Sequence, residues 1–311
     1  MSDAAIKNKK IQNEVYTKLK PINEKSRNYI NDVIVIINKK IGIDNISSII
    51  LFGSQRGLEK KKTESTSVSD CDLLIIFNDN ISNSLIKKIE KYVIALENKH
   101  NFREDDNSRF VSKLLDLVHS TTGMFISHFM TKKKYWENIV FHKIFRVNKL
   151  LSKLFAPTKI VFCSVIANSS ILYGKDLRKI VEKIEIPPLD MIKSLIMNLM
   201  IALFSILTSI LKSFNSIRYQ LEAVKWSLRA ANYYIFKDSK SLKEITARFT
   251  LFEKSGRILK YRKHAKIFYN RFLHLREKPH TDLGFILRCP FRILKIHIKS
   301  IILKRVIKKR V

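Results

Sequence analysis

The residues of this chain best equipped for chemistry are Gly53-Ser54 and the acidic pair Asp70 and Asp72. Gly53-Ser54 closes a short apolar run, Ser47-Ser48-Ile49-Ile50-Leu51-Phe52, that reads as a buried strand. A strand ending in Gly-Ser presents free backbone N–H groups and a hydroxyl at one point, and the glycine lets a phosphate come close to the main chain. Asp70-Cys71-Asp72 opens a second apolar run, Leu73 to Phe77. Two positions apart on a strand, the carboxylates face one side, while Cys71 faces the other and belongs to the core. Carboxylates this close repel unless a cation lies between them. Mg²⁺ suits that arrangement, because it takes carboxylate oxygens and substrate phosphates together. A phosphate cradle beside such a pair is the equipment of in-line phosphoryl or nucleotidyl transfer.

These groups need elements to carry them. Residues 1–20 are polar and lysine-rich and read as a helical extension. Tyr29, Ile30, Val33, Ile36 and Ile37 recur at steps of three and four, which predicts a helix that begins at Pro21 and stops at Gly42. Leu85, Ile89, Val93 and Leu96 predict another over 81–98. Arg109 to His119 reads as a helix, and Met124 to Met130 as a third strand. Ile160 to Tyr173, ended by Gly174, completes the first part, and everything after Pro187-Pro188 has helical spacing. The expected fold class is α+β: a small mixed sheet with helices, followed by an all-α bundle. The expected organisation is a basic extension at 1–27, a sheet domain at 28–178 and a basic helical domain at 186–311.

Leu51-Phe52-Gly53-Ser54-Gln55-Arg56-Gly57, followed by Ser69-Asp70-Cys71-Asp72-Leu73-Leu74, resembles the signature of the nucleotidyltransferase superfamily, the polymerase-β-like fold. Arg56-Gly57 after Gly-Ser is similar to the minimal (MNT-type) members, and Ile171-Leu172-Tyr173-Gly174 resembles the strand end that closes such domains. The resemblance covers roughly residues 28–178. It implies that Asp70 and Asp72 are catalytic and hold Mg²⁺, and that Gly53 and Ser54 hold the phosphates of a nucleoside triphosphate. Arg56 is a further candidate phosphate contact. Related proteins close a C-terminal helical bundle over the nucleotide, sometimes with a lysine on phosphate, and Lys225 within Leu221–Arg229 is the candidate here. There are two departures. The spacer Gln55–Ser69 is long, which an inserted Lys60-Lys61-Lys62-Thr63 loop accounts for. Active members also carry a third carboxylate on the next strand, and Met124 to Phe129 has none. His128 stands nearest that position, and Asp105 and Asp116 are candidates outside a clear strand.

Composition bounds the partners. The chain has 311 residues with 59 Lys+Arg against 27 Asp+Glu, a formal charge of +32. Nucleic acid, anionic lipid or a polyanionic substrate would relieve that field. At 46% hydrophobic residues the chain builds real cores, which excludes a disordered polycation. Seven Gly and six Pro exclude collagen-like and Gly-rich low-complexity chains. Cys71, Cys163 and Cys289 are too far apart for a disulfide framework or a zinc site of the usual spacing, so a reducing, cytoplasmic setting is expected. The N-terminus lacks the apolar stretch of a signal peptide.

Positive charge is densest from Lys240 to Val311, with 21 Lys+Arg against 4 Asp+Glu. Tyr261, Phe268, Tyr269 and Phe272 are interleaved there with cations, a pattern that suits RNA binding, while aromatics at helical spacing are more often core. Arg257 and His264 are similar in spacing to the Arg…His pair of HEPN ribonucleases, but Ile258 stands where that motif commonly has a polar residue. The uncharged run 194–211 is at the lower limit of a membrane span. Its small or polar stripe, Ser194, Asn198, Ala202, Ser205 and Ser209, is explained first by a long helix in a soluble bundle, with a packed membrane helix as the alternative. Phe291 to Val311 is basic and amphipathic, fit for an anionic membrane surface or for packing on the bundle.

The leading expectation is a Mg²⁺-dependent nucleotidyltransferase that moves a nucleoside monophosphate from a triphosphate to an acceptor hydroxyl, with RNA the first candidate acceptor and a protein hydroxyl or a small molecule the others. The alternatives are a catalytically silent nucleotide- or RNA-binding protein of the same fold, and a basic membrane-surface protein.

Overall fold

A computed structural model describes residues 15–20, 22–53, 71–102, 128–167, 169–209, 216–252 and 259–308. They fall into two units, 1–149 with 168–183, and 150–167 with 184–311.

The first unit is built on a four-stranded sheet. Helix α1 (Glu24–Ile41) starts where Asn23 accepts a hydrogen bond from the Ser26 backbone N–H at 2.8 Å and stops at Gly42, whose φ is +78°. Strand β1 (Ile46–Phe52) follows, then β2 (Asp72–Phe77) and α2 (Asn83–Lys99), whose first turn is capped by the Ser82 hydroxyl. Strand β3 (His128–Lys132) runs into the short helices α3 (Lys133–Glu137) and α4 (Phe141–Ile144). Strand β4 (Ser169–Gly174) completes the sheet. The spatial order is β3-β2-β1-β4, with β1 antiparallel to both β2 and β4, and β2 parallel to β3.

The central strands are apolar at nearly every position because both faces of the sheet are covered. On one face Ile49, Leu51, Cys71, Leu73, Ile75, Phe77 and Met130 pack against Tyr29, Ile30, Val33 and Ile37 of α1 and Ile86, Ile89 and Val93 of α2. Each such aliphatic side chain, fully buried, contributes about 1.5–3 kcal/mol. On the other face Phe52 stacks on Phe129, Phe129 meets Phe145 edge-on, and Trp136 donates to the Leu177 carbonyl at 2.8 Å.

Val15, Leu19 and Ile22 lie inside the first core. The segment expected as an appended extension is therefore, from Val15 on, part of the sheet unit. The predicted helix at 109–119 and the start of the third strand at 124–127 lie outside the described residues, as does Pro21.

The second unit is helical: α5 (Lys149–Phe155), α6 (Thr158–Ala167), α7 (Pro188–Thr208), α8 (Ser216–Phe236), α9 (Leu242–Phe252), α10 (Leu259–Glu277) and α11 (Leu283–Lys308). Helix α8 is the hub, packed against α6, α7, α9, α10 and α11. Residues 150–167, expected in the sheet domain, cluster here instead. The reason is local. Ile160, Phe162, Cys163, Val165 and Ile166 make α6 apolar all round, and the buried Asp190 of α7 accepts the backbone N–H groups of Lys159 and Ile160 at 2.7 and 3.2 Å. Pro188–Leu207 is, among the described residues, the one unbent helix long and apolar enough to cross a membrane. Its small-residue stripe is turned into the bundle. Ser194 contacts His297, and the Ala202 carbonyl accepts from Gln220.

Candidate active site

At the end of the sheet where β1 finishes, β2, β3 and β4 begin. Antiparallel pairing sets Phe52 opposite Asp72, and the next residue, Gly53, turns the chain away with φ +83°. A Cβ at position 53 would lie 2.0 Å from the Asp72 carboxylate oxygen Oδ2. Only a glycine satisfies both the left-handed backbone and that approach. The backbone turn expected to cradle phosphate and one of the two expected metal-binding carboxylates are thus in direct contact. Asp72 is partly exposed, on the face of the sheet that carries Phe52 and Leu74. Cys71, on the opposite face, is fully buried in the core, as its alternation predicts. Ser54, Arg56 and Asp70 lie outside the described residues, as do Asp105 and Asp116.

His128 is brought to the same end of the sheet but to the wrong face. Its partner in the parallel register is Leu73, so its ring points under the sheet toward α1 and α2. There Nδ1 lies 2.6 Å from Oε1 of Glu97, which also accepts from the Tyr29 hydroxyl at 3.4 Å, and Nε2 lies 3.8 Å from Glu90. Glu90 is in turn ion-paired with Arg146. Burial, then the charge of Glu97, pushes the Tyr29 phenol far above its ordinary value and keeps it protonated. His128 therefore does not stand in for a third carboxylate. Of the two β3 residues that share the face of Asp72, Phe129 is the one nearer its end of the sheet, stacked on Phe52 with ring centroids 5.9 Å apart. Among the described residues no cluster of three His, Cys, Asp or Glu side chains is placed to hold a metal ion. What is present still fits Mg²⁺ in kind: a hard carboxylate oxygen against a backbone cradle that any side chain at position 53 would fill.

Sequence reasoning missed the network below the sheet. Glu90 and Glu97 stand seven apart on α2 beside Ile86, Ile89 and Val93, and carboxylates on an apolar helix face were the available signal. It also missed Arg178, which donates to the Ser169 carbonyl at 2.8 Å and is held by Asp176 at 2.9–3.0 Å. Ser169 pairs with Phe52, so Arg178 brings a guanidinium to the end of the sheet that bears Gly53.

In the helical unit, Lys225 is committed to a structural role. Its ammonium is ion-paired with Glu222, which also takes Arg276 at 3.2 Å, and it lies over the Trp226 ring at 5.5 Å. Burial resists the charge on Glu222, but Lys225 and Arg276 outweigh it and hold that carboxyl down at about 2. Phe268, Tyr269 and Phe272 are core residues, 5%, 2% and 0% exposed, so they offer no stacking surface for bases. Helical spacing placed them on the inner face of α10. The Tyr261 side chain and Arg257 lie outside the described residues, and His264 is exposed.

No family model matches the sequence, and no curated protein matches it. Among solved structures, the chain is similar to the spectinomycin adenyltransferase AAD(9) from Enterococcus faecialis, with ATP and spectinomycin. The likeness covers 88% of this chain and 98% of that one, at 10% identity and a TM-score of 0.47.

Proposed function

We propose that the sheet unit is a Mg²⁺-dependent nucleotidyltransferase. The single observation that carries this reading is the contact between the Gly53 turn and the Asp72 carboxylate, which joins a phosphate-approachable backbone to a hard metal ligand at one sheet end. Gly53 and Ser54 would take the phosphates of the triphosphate, with Arg178 and Arg56 as nearby cations. Asp72, with Asp70, would hold Mg²⁺. The bound ion would neutralise charge developing on the transferred phosphoryl group. The acceptor hydroxyl would attack the α-phosphorus and lose its proton to water, the α,β-bridging P–O bond would break, and pyrophosphate would leave. The acceptor proposed is RNA, on the charge of residues 240–282, with 12 Lys+Arg against 4 Asp+Glu, since three of the four interleaved aromatics are buried.

The test is incorporation of an α-labelled triphosphate in Mg²⁺ by the wild type and by Asp72→Asn. A fall of about a hundredfold or more is expected, and equal incorporation overturns the assignment. A second reading, triphosphate binding without turnover, is favoured by Phe129 and the inverted His128 occupying the strand where a third carboxylate would serve. Calorimetry that detects Mg²⁺-dependent triphosphate binding, with no pyrophosphate released, would select it.

A further inference from the structure

Helix α7 is inside out. Ser194, Asn198 and Ser205 are at most 1% exposed, while Leu189, Ile192, Ile196, Met200, Leu203 and Leu207 stand between 42% and 73% exposed. The exposed residues recur at steps of three and four, so they form one continuous stripe. Water does not favour that inversion, whereas hydrocarbon outside a helix does, because small and polar residues then make the helix contacts. Helix α11, which packs against α7, also leaves an apolar row exposed, although its buried face is largely apolar too. Leu283, Leu287, Phe291, Leu294, Ile298 and Ile302 form a second exposed stripe, with Phe291 at 71%, opposite a face of Phe285, Ile286, Cys289 and Ile293 that is buried in the bundle.

The flank of the α11 stripe says what covers it. Arg288, Arg292, Lys295 and Lys299 each follow a stripe residue by one position, which sets a row of cations about 100° around the helix from the apolar row. Residues 283–308 contain seven Lys and Arg and no Asp or Glu. Arg288, Arg292 and Lys295 line a pocket of about 300 Å³ with Phe291 among its walls, together with His264 and Arg271 of α10, the last already ion-paired with the buried Asp282. Apolar contact and anion-binding groups therefore meet along one edge. A second copy of α11 on this surface would bring seven cations against seven. An RNA strand would find one exposed aromatic ring and otherwise aliphatic side chains.

We infer that this surface docks on an anionic phospholipid bilayer, the apolar stripe of α11 entering the acyl boundary while the cationic row and its pocket take headgroup phosphates. The helix lies in the interface rather than crossing it. The inference does not depend on the proposed reaction.

The experiment is flotation of the full chain with phosphatidylglycerol-rich vesicles and with pure phosphatidylcholine vesicles. Binding is expected to the first and not to the second. Arg288→Gln/Arg292→Gln/Lys295→Gln should bind about a hundredfold more weakly. Leu283→Ser/Leu287→Ser/Phe291→Ser should bind about tenfold or more weakly, with a nearly unchanged melting curve because these side chains are more than half exposed. Phe291→Trp should gain fluorescence that vesicles of brominated acyl chains quench. Failure of the wild type to float overturns the inference, as does an apolar triple variant that floats undiminished, or fluorescence of the Phe291→Trp variant that brominated lipid leaves untouched. Loss of self-association, or of binding to a single-stranded RNA oligonucleotide, in the apolar variant with vesicle binding intact would assign the surface to that partner instead and equally overturn it. Triphosphate incorporation is a separate readout, so failure here and failure of the catalytic reading are told apart.

Discussion

The end of the sheet and the outer surface of the helical bundle break one rule in opposite directions. At the sheet end a carboxylate, Asp72, heads a strand whose other residues are wholly buried and apolar. On α7 and α11, rows of Leu and Ile stand in water while Ser194, Asn198 and Ser205 are inside. A charged group beside apolar positions costs free energy that a counter-charge offsets, and an apolar row in water costs in proportion to its area. In the readings proposed above, a metal and polyphosphate answer the first departure, and hydrocarbon with anionic headgroups answers the second. The lesson is that net charge alone is a poor guide to the partner. The same +32 serves either reading, and the exposure of particular side chains separates them.

Three perturbations sharpen that contrast. The largest effect is expected from Gly53→Ala. The new Cβ would meet Asp72 at 2.0 Å and force an L-residue to φ +83°, so the carboxylate is displaced. Triphosphate incorporation should fall about a hundredfold or more, with about 1–2 kcal/mol lost in melting experiments. Incorporation equal to wild type would separate the turn from the site.

Glu97→Ala should act on stability instead. It removes the acceptor of both His128 and Tyr29 beneath the sheet, at a cost of about 3 kcal/mol read by denaturant titration. The remaining folded fraction should keep its incorporation rate, whereas a pH-dependent loss of rate would return His128 to the chemistry.

The third is a pH dependence in the helical unit. Burial of His297 between α7 and α11 pushes its pKa down from 6.5 to about 4, against a smaller opposing effect of its hydrogen bond to the Ile293 carbonyl. The folded state therefore binds fewer protons than the unfolded state between those values. Stability is fully present above about pH 6.5 and falls as the pH drops toward 4, by about 3 kcal/mol in all. His297→Gln should flatten the melting temperature of this unit across that window, and an unchanged slope would place the titrating group elsewhere.

Much of the frame was legible in the residues themselves. The helix to Gly42, the strand before Gly53, the second strand from Asp72 and the helix through Leu96 all follow from steps of three and four or from short continuous apolar runs within a single segment. The contact of Gly53 with Asp72 was also legible in outline, because a glycine turn at one strand end and an acidic residue at the start of the next meet when the strands pair antiparallel. Three expectations turned on information that lies between segments. His128 was placed by type near a missing carboxylate, but its face depends on pairing with Leu73, and a slip of one residue reverses it. The aromatics of α10 were read as a binding surface, yet periodicity alone does not say which face meets the bundle. Lys225 was read as reaching a phosphate, and its ammonium is ion-paired with Glu222 three residues before it, a carboxylate it shares with Arg276 from another helix.

The sequence by itself determined the local conformations, the need for glycine at the turn and the excess of positive charge, because each depends on steric limits or on counting within the chain. Only the tertiary structure decided which side of the sheet His128 occupies, which aromatic rings are covered and which rows of leucine and isoleucine are left in water. Register and helix rotation are set by the total burial of all the packed elements, and no single segment carries that sum.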